Sequence, residues 1–309
     1  MTDKYDCVII GGGIAGLQAA IQLGRYKRNV LVIDSNDGRS NLCKNYQNIL
    51  GWPAGISGQT LRETGRKQAK SYGIQFVEDR VIQCQKELAG FHVITNSYTY
   101  EATTLLLATG VVDRVPLELQ QELYPCMGKT VYVCPDCDGY EVNNRRVLVI
   151  GSGKAGANLS LVLTYWTNDI TYINHDKKEI GSLANTLMQK EITYKEEAIK
   201  KVIAEAGMLK GVVLQNDEAV YAERGFLAFG GNKVRTELGH DLGVELLENQ
   251  HIAVNPRTKE TNVSNVWAAG DIVAHSEQVT LAMGEGLQAA IWIHKRLLEL
   301  DGKKFFDKK

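Results

Sequence analysis

The sequence has no surplus charge of either sign. Its 35 Lys and Arg face 36 Asp and Glu, a formal net charge of −1. No basic excess is left to grip a phosphate backbone, which argues against a dedicated nucleic-acid binder. Long apolar runs are missing too, since none reaches the ~20 residues that a membrane helix needs. The polar opening Met-Thr-Asp-Lys-Tyr-Asp lacks the apolar core of a secretory signal. Cysteine is sparse, with six in 309 residues, too few for a small disulfide-stapled scaffold. These shortages lead us to expect a soluble protein of a reducing cytoplasm, with no membrane and no nucleic-acid partner. In such a compartment a close cysteine pair serves redox chemistry or a metal rather than a structural crosslink.

Glycine is in excess, 30 residues in all, and its placement is informative. Cys7-Val8-Ile9-Ile10 reads as a strand buried on both faces. It runs into Gly11-Gly12-Gly13-Ile14-Ala15-Gly16, after which Leu17, Ala20, Ile21 and Leu23 recur at helical spacing. A second apolar run, Val30-Leu31-Val32-Ile33, ends in Asp34, eighteen residues after Gly16. Strand, GxGxxG, helix, strand and terminal acid form the full dinucleotide fingerprint. The glycines let backbone N–H groups approach a pyrophosphate, the helix N-terminus adds partial positive charge, and Asp34 takes the ribose hydroxyls.

The pattern recurs at Val147-Leu148-Val149-Ile150, then Gly151-Ser152-Gly153-Lys154-Ala155-Gly156, then the strand-like Ile170-Thr171-Tyr172-Ile173. Here the sugar-reading position holds Asn174, followed by His175-Asp176-Lys177-Lys178. An NAD site would offer Asp or Glu there, and an NADP site arginines just after it. This second unit either binds nucleotide or is kept for packing alone. His175 reads as a solvated loop residue.

Leu105-Leu106-Leu107-Ala108-Thr109-Gly110 and Val266-Trp267-Ala268-Ala269-Gly270-Asp271 read as two further strands, and a helical period runs from Gln278 to about Leu300. Both chain ends therefore belong to one domain. The fold expected is α/β, with two Rossmann-like nucleotide-binding domains of three-layer ββα type, the second inserted into the first. Residues 1–112 and 246–309 form the first and 113–245 the second, with crossings near Val111–Pro116 and Gly239–Leu247. The basic end, Lys303 to Lys309, reads as a solvated tail.

Cys134-Pro135-Asp136-Cys137-Asp138 is the one CxxC of the chain. A zinc site needs four ligands, usually a second CxxC or a His/Cys pair, and none completes the set, so no metal is expected. A redox pair fits better, because two intervening residues allow a small disulfide ring and a lowered thiol pKa activates exchange. Asp138 is placed to accept and return a proton. Cys7 reads as core, and Cys43, Cys84 and Cys126 have no visible partner.

Taken together, these motifs resemble the low-molecular-weight thioredoxin reductase-like flavoenzymes over nearly the whole chain. The shared features are the first GxGxxG with its acid, Ala-Thr-Gly, Cys-x-x-Cys-Asp-Gly before a second GxGxxG, and Ala-Ala-Gly-Asp before a Gln-anchored helix. The segment from Asn48 to Gly58 is similar to the family's flavin-contacting stretch. The resemblance implies FAD, with pyrophosphate at Gly11, Gly13 and Gly16 and ribose at Asp34. It also implies cofactor contacts from Asn48, Thr109, Gly110, Gly270, Asp271, Gln278 and Val279. Cys137 would face the flavin, Cys134 would exchange with the substrate disulfide, and Asp138 would be the acid/base. The implied partner is a thioredoxin-like protein or a small disulfide, and the implied assembly a homodimer.

The chain departs from the family where arginines usually hold the 2′-phosphate of NADPH, at Asn174 to Ile180, with Lys177 and Lys178 as partial replacements. Lys154 also stands where many members have an acid. NADPH, NADH, ferredoxin or another donor, and flow in the reductive or oxidative direction, remain open. A flavin-binding redox sensor without efficient turnover is the alternative from another class. A ferredoxin–NADP reductase of related fold would have no use for the dithiol.

Overall fold

The computed structural model describes residues 4–274 and 276–303. From residue 304 the expected solvated tail lies outside the described residues. The continuous apolar runs form strands and the 3.6-residue periods form helices, in the order that the motifs suggest. The first βαβ unit is β1 (Tyr5–Ile10), α1 (Ile14–Arg25) and β2 (Val30–Asp34), followed by α2 (Gly58–Ser71) and β3 (Gln75–Glu78). Next come β4 (Val81–Glu87), β5 (Gly90–Thr95), β6 (Thr99–Leu107) and the short β7 (Val111–Val112). The middle of the chain opens with α3 (Leu117–Leu123), β8 (Val131–Tyr132) and the single turn α4 (Pro135–Asp138). A second βαβ unit follows in β9 (Val147–Gly151), α5 (Gly153–Leu163) and β10 (Ile170–Asn174), then α6 (Leu183–Gln189) and β11 (Thr193–Lys195). The meander β12 (Ile199–Glu205), β13 (Met208–Leu214) and β14 (Ala219–Tyr221) leads to β15 (Arg224–Ala228). Last come β16 (Lys233–Val234), α7 (Glu237–Asp241), β17 (Val266–Ala268) and α8 (Val279–Leu300).

The chain divides into two compact units. The first holds residues 1–41, 59–112 and 234–309, and the second 42–58 and 113–233. The return to the first unit therefore falls at Val234, before the turn-rich stretch at 239–247. That stretch is no crossing, because Leu238, Leu242 and Val244 pack into the first unit's core.

In the first unit the sheet order is β3-β2-β1-β6-β5-β4, with β17 also paired to β6. β6 changes partner along its length. On one edge Thr99 to Ala102 run antiparallel to β5 and Leu105 to Leu107 run parallel to β17, while the other edge runs parallel to β1. One face is covered by α1 and α8, with Leu23, Trp267, Ala289 and Ile293 buried between them and the sheet. The other face is covered by the antiparallel strands and the segment around Ile252. Each fully buried large apolar side chain contributes about 2 kcal/mol, so sheet burial rather than surface helices carries this unit. By contrast α2, with the polar sequence GQTLRETGRKQAKS, lies on the surface and buries little beyond Ala69.

The second unit repeats the three layers with the order β11-β10-β9-β15-β8, all parallel. α5 and α6 cover one face through Leu163 and Leu187. The meander and α3 cover the other through Leu119, Val202 and Val212. The structure is thus the expected pair of Rossmann-like α/β units. No helix among the described residues is long and apolar enough to cross a membrane.

Candidate functional site

The first elbow lies where β1 meets α1. Gly11 has φ +110°, and a Cβ there would strike the Ala108 carbonyl at the end of β6. Only glycine allows both the angle and the contact. A Cβ on Gly16 would collide with the Gly11 carbonyl, so the third glycine lets helix and turn close on each other. Gly13 caps α1 without a side-chain hydrogen bond and faces open space, with nothing within 4 Å of an added Cβ. Gly110 opens onto free space in the same way. The result is a cradle lined by main chain at a helix N-terminus, the arrangement that suits a pyrophosphate.

Asp34, at the end of β2, is 6% exposed, and α2 brings two arginines to it. Arg62 Nη2 donates to its Oδ2 at 2.6 Å and Arg66 Nη2 lies 3.8 Å from the same oxygen. Arg62 also donates through Nε to the Gly12 carbonyl at 3.3 Å and through Nη1 to Asn36 Oδ1 at 3.2 Å. The sequence reading missed both arginines. Their i, i+4 spacing on a polar helix was the available signal, but nothing in it pointed across 28 residues to Asp34.

Of the remaining first-unit candidates, Thr109 follows the Ala108 carbonyl that meets Gly11, and Gly270 lies against Ala15. The Thr109 hydroxyl donates to the Arg235 carbonyl at 2.6 Å, and the Gly110 carbonyl accepts the Arg235 N–H at 3.0 Å. The Gly270 N–H donates to Glu285 at 3.0 Å, and Glu285 in turn accepts Lys259 at 2.6 Å. An added Cβ on Gly270 would lie 2.8 Å from that of Ala15 on α1. Asp271 lies 3.5 Å from Arg39 Nη1, and the same guanidinium pairs with Glu277. Gln278 caps α8 with extended backbone angles and Val279 begins it. Arg39 is a further residue that sequence reading did not single out. Asn48 is exposed and belongs to the segment 42–58, which is grouped with the second unit.

In the second unit, Cys134 and Cys137 are joined as a disulfide, with Cα atoms 5.3 Å apart. Cys134 precedes α4 in extended conformation and Pro135 starts the turn. The N–H groups of Cys137 and Asp138 both donate to the Cys134 carbonyl, at 3.2 and 3.1 Å. Both cysteines and Asp138 are part-exposed. The buried Gly139 seats this turn against the Trp166 ring with no room for a side chain. The other thiols differ: burial pushes Cys7 and Cys84 up to about 12. No cluster among the described residues could hold a metal ion.

The second elbow borders a cleft of about 390 Å³ lined by Arg114, Ser152, Lys154, Lys178, Glu179 and Phe229, with Gly153, Gly230 and Gly231. It lies at the carboxyl ends of β9, β10 and β15, where ligands bind in folds of this kind. Gly153 has φ +52° and Gly230 and Gly231 have φ +64° and +67°, angles that favour glycine. Asn174 is fully buried and turned inward. Its Oδ1 accepts the Gly153 N–H at 2.8 Å, and its Nδ2 donates to the Lys178 carbonyl at 2.7 Å and the Tyr194 hydroxyl at 3.0 Å. His175 is not the solvated loop residue expected. It is 9% exposed, because its Nδ1 accepts the Ile199 N–H at 3.0 Å and draws the ring under β12.

Over residues 5–286 the chain matches the family described as pyridine nucleotide-disulphide oxidoreductase. The chain belongs to that family. It is 31% identical over 303 residues to a thioredoxin reductase of Treponema pallidum, spanning 94% of this chain and 96% of that one. Among solved structures, HlmI is similar with a TM-score of 0.85 and 28% identity, covering 98% of this chain and 96% of its own. The thioredoxin reductase of Streptococcus pyogenes, at TM-score 0.84 and 22% identity over 97% and 100% of the two chains, shares the fold. Membership makes the chain a flavin-dependent disulfide oxidoreductase of thioredoxin reductase type, in a family whose cofactors are a flavin and a nicotinamide. The open main-chain cradle at Gly13 fits the pyrophosphate of a flavin dinucleotide.

Proposed function

We propose that this protein moves electron pairs between FAD held in the first unit and the disulfide of a thioredoxin-like protein or a small molecule, through Cys134 and Cys137. The observation that carries the reading is the part-exposed Cys134–Cys137 bond in a chain that also builds a dinucleotide cradle. Gly11, Gly13 and Gly16 receive the pyrophosphate. Asp34, oriented by Arg62, receives the ribose, and Asp271, beside Arg39, receives the ribityl side. Thr109, Gly110, Gly270, Gln278 and Val279 form the surrounding wall. FAD supplies or takes up the electron pair.

In the reductive direction the reduced pair acts in two displacements. The Cys134 thiolate attacks one sulfur of the substrate, its disulfide breaks, and one half leaves as a thiolate while the other stays bonded to Cys134. The Cys137 thiolate then attacks the Cys134 sulfur, re-forming the Cys134–Cys137 bond and releasing the second half. Two electrons pass from the dithiol to the substrate. Asp138, held within one turn of Cys134 by its N–H bond to the Cys134 carbonyl, takes the proton of the Cys137 thiol as that sulfur attacks and delivers it to a leaving thiolate. The oxidative direction is the same sequence reversed.

Anaerobic titration of the FAD-loaded protein with dithionite tests this reading. The native protein takes up about two electron pairs, one at FAD and one at the disulfide, and then reduces a disulfide substrate. A Cys134→Ser/Cys137→Ser variant takes up one. If the native protein also stops at one, the redox role of the pair is wrong.

A further inference from the structure

Resting on the reading of the second elbow as a dinucleotide cleft, we propose that Asp176 makes it select NADH over NADPH. In a βαβ unit the adenosine ribose lies at the carboxyl end of the second strand, here β10. The residue that ends β10, Asn174, has committed both amide hydrogens and its carbonyl oxygen to Lys178, Tyr194 and Gly153. It reads no sugar. His175 is buried with Nδ1 on the Ile199 N–H, and Ile180 is buried at 6% exposure. The first charged group beyond the strand end is therefore the Asp176 carboxylate.

Asp176 is held in place from the cleft wall. Arg114 Nη2 donates to its Oδ2 at 2.7 Å, while Arg114 Nη1 donates to the Phe229 carbonyl at 3.1 Å and the guanidinium lies 5.8 Å from the Phe229 ring centroid. Lys178 Nζ is 3.8 Å from the same Asp176 oxygen. Burial raises the Asp176 pKa, but Arg114, Ser152 and the neighbouring charges outweigh it, so the group stays ionised at neutral pH.

The cations at this end are thus already matched. Arg114 and Lys178 pair with Asp176, Glu179 adds a carboxylate to the cleft lining, and Lys177 is paired with Glu197 at 2.7 Å. A 2′-phosphate brought here meets fixed carboxylates with no unmatched guanidinium to receive it, whereas two ribose hydroxyls can donate to Asp176. The pyrophosphate end keeps Lys154 beside the helix start and serves either nucleotide alike.

The test is calorimetric binding of NAD+ and NADP+ to the oxidised, FAD-loaded protein, so it does not depend on turnover. NAD+ should bind at least about tenfold more tightly than NADP+, the ratio expected for one like-charge contact. Asp176→Asn keeps an acceptor for Arg114 and removes the charge, and should narrow that ratio to about threefold or less. Equal affinity in the native protein, a preference for NADP+, or no binding of either would each overturn the proposal. None of these results would affect the dithionite titration, so the redox reading stands or falls separately.

Discussion

Arg235 holds Asp37 fork to fork, Nη1 to Oδ1 at 2.8 Å and Nη2 to Oδ2 at 3.0 Å, across 198 residues. Arg235 lies one residue past the point where the chain re-enters the first unit, and its backbone also engages Thr109 and Gly110. The pair therefore pins the returning segment beside the first elbow. Planar bidentate geometry of this kind gives both strength and orientation.

An acid-limb prediction follows from that pair. Burial works to raise the Asp37 pKa, and Arg235, Ser35 and Arg80 outweigh it, so the folded value lies well below the ordinary carboxylate range. A depressed folded pKa adds stability that is fully present above the unfolded value of about 3.9 and is lost as pH falls through the folded value. In urea unfolding from pH 7 to pH 3, Asp37→Asn should start less stable than the native protein and lose less on acidification. Parallel curves would remove Asp37 from the acid response.

The roles of the two redox cysteines can be separated by trapping. Cys137→Ser incubated with a disulfide substrate should accumulate a covalent adduct on Cys134, because the second displacement has no nucleophile. Cys134→Ser should accumulate none. Intact-mass spectrometry reads the adduct directly, and the opposite pattern would exchange the two assignments.

Asp34 and Arg62 should behave as a coupled pair. Arg62→Ala leaves a nearly buried carboxylate without its main partner and should cost about 3 kcal/mol in chemical unfolding. Adding Asp34→Asn should restore part of that loss, and a double-mutant cycle measures the difference. FAD retention on dialysis should fall in both single variants. Strictly additive stabilities would show that the contact is incidental.

Asn174 gives a prediction of opposite sense to a motif-based expectation. Asn174→Asp supplies the acid that the fingerprint calls for, yet it removes two donated hydrogen bonds and buries a charge among groups arranged for an amide. It should destabilise the protein by about 2 kcal/mol or more without improving NAD+ binding. Calorimetric unfolding and the same nucleotide titration provide both readouts.

Both βαβ units could be read from the sequence because their strands are buried on both faces and so appear as unbroken apolar runs. The elbows could be read because glycine is obligatory where a Cβ would strike a carbonyl, as at Gly11. The antiparallel strands β4 and β5 escaped because they are largely exposed on one side. Val81-Ile82-Gln83-Cys84-Gln85-Lys86-Glu87 buries only Val81 and Cys84, too weak a pattern to register. Arg39, Arg62, Arg114 and Arg235 escaped for another reason. Each is defined by a partner far away in sequence, and charge alone does not say which carboxylate an arginine will meet. His175 was misread because its burial depends on the N–H of Ile199, which topology brings to it from 24 residues away. The return at Val234 was misplaced because turn formers at 239–247 mark the end of α7, whose neighbours pack into the core.

The split partnership of β6 constrains the order in which the protein can be made. Its outer end pairs with β5, a neighbour in sequence, while its inner end needs β17, which begins at Val266. A chain emerging from the ribosome amino end first has released all of 113–233 before β17 exists. Local contacts close early and distant ones wait for the chain that supplies them. The second unit can therefore complete its parallel sheet while β6 still shows an unpaired edge at Leu105 to Leu107. Until β17 arrives to cover that edge, those three leucines present an unpaired apolar strand edge, the kind of surface on which chains aggregate.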